Sequence, residues 1–164
     1  MEKSNTKNEV NITHIFNAPR ELVFKAWTEP EQLLRWFAPD DCTISFKSID
    51  VQKGGTFHSC IHSPIHGDCW CKGVYLEVVA PERLVYTIVI TDEQGNTVEP
   101  VDVGKSAALP AATILTVTFT EYGNKTELTL HQTMSEKDAK QTGAYQGWLL
   151  MLNRLEALIS NQSA

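Results

Sequence analysis

The sequence has no long hydrophobic run, no basic stripe and no glycine-rich phosphate loop, and each absence removes a class of function. No stretch approaches the ~20 consecutive apolar residues that a membrane helix needs. A net charge of −6 and a pI near 5.3 provide nothing to neutralise the phosphates of nucleic acid or of an anionic membrane, so neither is an expected partner. The polar N-terminus, MEKSNTKNEV, carries no apolar signal-peptide core. The expected compartment is therefore the cytoplasm, where the four cysteines stay reduced and no structural disulfide forms. There is no G-x-S-x-G elbow and no H-E-x-x-H pair, and no Ser-His-Asp arrangement follows from the spacing. A cyclase- or hydrolase-type enzyme would thus lack a visible acid–base pair.

What is present suits one domain with a sizeable core: 164 residues, 42% hydrophobic and 21% charged. Residues 1–9 read as a disordered tail and 10–162 as a single domain. Val10 to Phe16 alternates as a strand, with Val10, Ile12, His14 and Phe16 on one face. Pro19 then opens a helix that buries Leu22, Val23, Ala26 and Trp27. Thr28 with Glu31 predicts a capping box for a second short helix to Phe37, burying Leu33, Leu34 and Phe37. Period-two runs follow from Cys42, Thr56, Cys69, Leu84, Thr113 and Thr126, and the last two are apolar on one side and Thr/Glu-rich on the other. A long helix from Glu136 to Ser160, capped by Ser135, carries an apolar stripe of Trp148, Leu152, Leu155 and Ile159. Such a sheet face and such a stripe must bury each other.

Residues 58–71, HSCIHSPIHGDCWC, concentrate three histidines and three cysteines. With Ile65-His66 as a two-residue turn, His62 opposes Cys69 and Cys60 opposes Cys71. His58, Cys60, His62, Cys69 and Cys71 then share the solvent side, and Phe57, Ile61, Trp70 and Val74 the core side. Two cross-strand pairs would suffice for a zinc or copper ion. A redox site and a plain solvated strand remain the alternatives, and a one-residue slip would scatter the set across both faces. No CxxC spacing supports a metal, so no cofactor is expected, with zinc the possible exception. Elsewhere, Glu77 is expected to pair with Arg83, His131 to be solvated, and His14 to be a hydrogen-bonded core residue. Residues 92–112 form a long loop of the kind that is functional or disordered.

The segments NAPRELVFKAWTEPEQLLRWFAP, GGTF, GVYLEVVAPERLVYT, LTVTFTEYGNKTELTLHQT, TGAYQGW and LNRLEALIS occur in that order over about residues 10–160. In these the chain resembles the bacterial homologues of the activator of the ninety-kilodalton heat-shock chaperone's ATPase, in the START-like, birch-pollen-allergen-like superfamily. The resemblance implies an α+β helix-grip fold, a curved antiparallel sheet of about six to seven strands wrapped around a long C-terminal helix, with two short helices after the first strand. It also implies binding of a small hydrophobic molecule between sheet and helix; the length of the 92–112 loop suits it to act as a lid over such a site. The alternative is a stress-related, chaperone-modulating partner role, and no catalytic residue set is implied. The candidate cavity residues are Trp27, Phe37, Phe46, Phe57, Trp70, Val74, Phe119, Trp148, Met151 and Leu152. Leu149, Leu150 and Met151 stand where the family often has polar residues, which predicts a greasier pocket.

Overall fold

The alternating segments form one seven-stranded antiparallel sheet. A computed structural model describes residues 8–39 and 41–163, with side chains to residue 160. The strands are β1 (Glu9–Phe16), β2 (Thr43–Ile49), β3 (Thr56–Ser63), β4 (Gly67–Val79), β5 (Arg83–Thr91), β6 (Ala112–Tyr122) and β7 (Lys125–Ser135). They lie in the order β1-β7-β6-β5-β4-β3-β2. Helices α1 (Arg20–Thr28) and α2 (Pro30–Trp36) follow β1, and α3 (Glu136–Thr142) and α4 (Ala144–Ser163) close the chain. Residues 1–7 of the expected tail lie outside the described residues, and Glu9 already belongs to β1. Among the described residues no helix is long and apolar enough to cross a membrane.

The inner sheet face contributes Val10, Ile12, Leu115, Val117, Phe119, Leu128 and Leu130, all buried, and α4 answers with Trp148, Leu152, Leu155 and Ile159. At the base of this layer the aromatics interlock. Trp27 packs edge-to-face on Trp36 (4.8 Å between centroids) and stacks on Trp148 (6.3 Å), while Phe37 meets Trp148 at 5.8 Å. Such contacts add about 0.5–1.5 kcal/mol per pair beyond burial. The Trp36 indole donates to the Ala26 carbonyl (2.9 Å), which fastens α2 to α1.

Three local expectations are corrected. The Thr28–Glu31 capping box does not form: Thr28 ends α1 with its hydroxyl donating to Phe24 O (2.9 Å), and Glu29 takes the N-cap of α2 without a side-chain bond. Helix α2 buries Leu33 and Trp36 and leaves Leu34 exposed, because its ends are set by the aromatic cluster rather than by its own periodicity. The expected single closing helix is two. Ser135 caps α3 by accepting from Asp138 N (3.0 Å), but Gly143, in the left-handed region at φ 87°, stops it and re-aims the chain into α4.

Helix α4 is also tied down by polar groups. The Arg154 guanidinium donates to the carbonyls of Ala38, Pro39 (3.2 Å) and Arg35 (3.2 Å), closing the turn after α2. Glu156 meets His14 Nε2 at 2.6 Å, so that histidine is hydrogen-bonded as expected but only partly buried rather than core. Arg154→Met should destabilise the protein by about 2 kcal/mol, the worth of a hydrogen-bonded charge, read as a lower urea midpoint with an unchanged m-value.

Candidate functional site

Between the inner face and α4 the sheet does not close, and a cavity of about 620 Å³ opens there. Strands β2 to β5 supply Ile44, Phe57, Ile61, Ile88 and Ile90. Phe37 and Trp148 form the floor, and Leu150 and Met151 come from α4. The segment between β5 and β6 adds Ser106, Leu109 and Pro110 at the mouth. That segment is organised rather than loose: the Asp92 carboxylate accepts from Asn96 N (2.9 Å), and Lys47 donates to Glu93 O (2.8 Å).

Three of the polar groups that line the cavity are chained. Trp148 Nε1 donates to Gln132 Oε1 (2.9 Å), and Gln132 Nε2 donates to Thr113 Oγ1 (3.0 Å). Gln132 and Thr113 are buried, and all three line the cavity. Reading the sequence missed this chain. Its one signal was a glutamine at an inward position of β7, between Leu130 and Met134. Nearby, burial holds the Tyr86 phenol well above its ordinary range, with Tyr75 adding to it, so it remains a neutral donor.

The family described as "Activator of Hsp90 ATPase homolog 1-like protein" matches residues 17–160. The chain belongs to that family. No curated protein matches it. Among solved structures it is similar to a protein of Staphylococcus epidermidis, 27% identical over 94% of this chain and 91% of that one, with a TM-score of 0.77. A Chromobacterium violaceum protein is 25% identical over 93% and 96%, at a TM-score of 0.75. An Arthrobacter aurescens protein, 21% identical over 98% and 90% at a TM-score of 0.80, shares the fold.

In this family member the expected cavity set divides. Phe37, Phe57, Trp148 and Met151 line the cavity. Trp27 and Phe46 border a separate void of about 20 Å³, and Phe119 and Leu152 are core. Trp70 and Val74 are corrections, since both lie on the outer face. The Trp70 ring sits 5.1 Å from that of His58 under the Lys47 ammonium, 5.0 Å away, and Val74 is exposed. Leu149 packs on the core and does not line the cavity, unlike its neighbours Leu150 and Met151.

The cause is the hairpin register. β3 and β4 pair His62 with Asp68, Ile61 with Cys69, Cys60 with Trp70 and Ser59 with Cys71, one residue away from the expected pairing. The Ser63 hydroxyl accepts from the backbone of Ile65 (3.2 Å) and His66 (3.0 Å). Gly67 takes a left-handed φ of 79°, so the turn holds three residues, Pro64 to His66, rather than two. A slip of one exchanges the faces. Cys69 and Cys71 therefore face the cavity, together with Cys42, and the five-residue metal set is not brought together. Outside, Cys60 Sγ lies 3.6 Å from His62 Nδ1, which lies 2.9 Å from Asp68 Oδ1. Zinc at this hairpin would fall to Cys60, His62 and Asp68, yet His62 already serves Asp68 and Ser45 (3.0 Å). The Glu77–Arg83 pair is present at 2.9 Å. His131 is not simply solvated, because Glu9 Oε1 holds it at 2.8 Å.

The thiols differ sharply in acidity. A hydrogen bond from Cys71 holds Cys69 below the ordinary cysteine range against the opposing effect of burial, with Lys105 assisting. The same bond and burial push Cys71 up, so the pair releases its first proton early and its second late. Burial, with Asp68 nearby, pushes Cys60 up to about 11. Iodoacetamide at neutral pH should therefore modify the Cys69/Cys71 pair well before Cys60, as peptide mapping will show; equal labelling of Cys60 would contradict this.

Proposed function

We propose that this protein is a binding module for a small hydrophobic molecule held between the sheet and α4, the 92–112 segment acting as lid. The observation that carries the reading is the cavity itself, about 620 Å³, within the roughly 300–1,000 Å³ of ligand pockets. Its composition supports the same reading. Much of the wall is aliphatic and aromatic, and polar side chains such as Gln132, Thr113 and Tyr86 can orient a guest. Leu150 and Met151 add to the apolar wall. The site works by desolvation: an apolar guest gains about 25 cal/mol for each Å² removed from water.

The alternative role, modulation of a chaperone, is suggested by the family's name. It would use the outer face, where Val74, Leu76 and Ile114 are exposed, and would be indifferent to the cavity.

A bound guest stabilises the folded state by mass action. A ligand at a hundred times its Kd adds about 2.7 kcal/mol, which is roughly a 5–10 °C rise in Tm for a chain of this size. A panel of fatty acids, flavonoids and polyketide-like aromatics should contain compounds giving that shift. Ile61→Trp, which fills the cavity, should abolish the shift while the variant still unfolds cooperatively. A panel without effect, or an unaltered response in Ile61→Trp, contradicts the reading.

A further inference from the structure

Cys42, Cys69 and Cys71 open onto one apolar cavity, and simple binding leaves their chemistry unused. Residues i and i+2 of a strand share a face, so Cys69 and Cys71 stand side by side on β4 at the cavity wall, and the Cys71 thiol favours ionisation of Cys69. Lys105 is tethered over the start of β4 by its bond to the Asp68 carbonyl (3.2 Å), and its positive charge acts on Cys69. Both influences favour the thiolate, the nucleophilic form of cysteine. The neighbouring wall, Ile61, Ile90 and Leu109, is of a kind to hold a hydrocarbon body against that sulfur, and such proximity lowers the barrier to bond formation.

We propose that the cavity captures its guest covalently, the Cys69 sulfur adding to the β-carbon of an apolar α,β-unsaturated carbonyl compound. The inference rests on the small-molecule reading of the cavity. In the step, the Cys69 lone pair forms the C–S bond and the π pair of the alkene moves onto the carbonyl oxygen as an enolate. The α-carbon then takes back, from water at the mouth, the proton that Cys69 released. The sum is addition of S–H across C=C, so no oxidant, reductant or leaving group enters. Cys69 touches the reacting carbon; Cys71 is a positioning residue that acts through it. The outer cluster of Cys60, His62 and Asp68 has no part.

The test uses the whole protein under reducing conditions with two probes, benzylideneacetone and its saturated counterpart benzylacetone, which cannot add. Intact-mass and peptide-mapping spectra should show one benzylideneacetone per chain, on Cys69, and none in Cys69→Ser. Cys71→Ala should form the adduct about tenfold more slowly, the worth of one hydrogen bond to a charged atom, and Cys71→Ser, which keeps a donor, should recover most of the rate. Benzylacetone should still raise Tm in each of the four proteins, which shows that each variant is folded and open. If benzylacetone raises Tm while no adduct forms, or the adduct spreads evenly over the cysteines, covalent capture is wrong and the binding module stands. Should neither probe change Tm or mass, the cavity reading falls and capture falls with it.

Discussion

The arrangement depends on one side chain, Trp148, being held on two sides. Its indole N–H is fixed to Gln132 on the sheet, and its ring stacks on Trp27 from α1. A tryptophan so clamped is a spacer. It sets how far α4 stands from β7, and the aromatic cluster behind it prevents the helix from sinking further. The space beyond, toward the β3–β4 hairpin, cannot be filled by moving the helix alone. Packing that is dense at one end of the helix and open at the other is the physical basis of the site.

The second constraint is where the polar groups go. An unpaired buried amide costs about 1–3 kcal/mol, and Gln132 avoids that cost by bonding to both Trp148 and Thr113. The cavity thus keeps the indole, the glutamine and the threonine beside its floor satisfied. The cysteines extend the logic. Cys60, on the outer side of β3, is buried and resists ionisation, whereas Cys69, two strand positions from Cys71 and near Lys105, favours the anion. One hairpin therefore carries a thiol that resists ionisation on one face and, on the other, a pair in which Cys69 ionises more readily and Cys71 less.

Much of the fold was legible because its signals were local and repeated. Alternation marked the strands, the Trp148–Ile159 stripe marked the helix that the sheet grips, and Ser135 announced the α3 cap. The site was less legible. The hairpin turned on whether the loop held two residues or three, and Ser63 with Gly67 supplied a cue weaker than the apolar appeal of Trp70 at an inward position. Trp70 instead packs outside, between His58 and Lys47. The Thr28 cap failed for a related reason: α1 runs directly into α2, and the threonine hydroxyl found a carbonyl one turn back.

By itself the sequence determined the order of elements, the family and the greasy character of the α4 face, because periodicity and residue type act over a few neighbouring positions. Tertiary structure alone decided which thiols face the cavity, which aromatics line it and that a cavity exists at all. Register and the distance between helix and sheet are settled by contacts among residues far apart in the chain, such as Ser59 with Cys71 and Gln132 with Trp148. A shift of one position in such contacts changes the site without changing the pattern that encodes the fold.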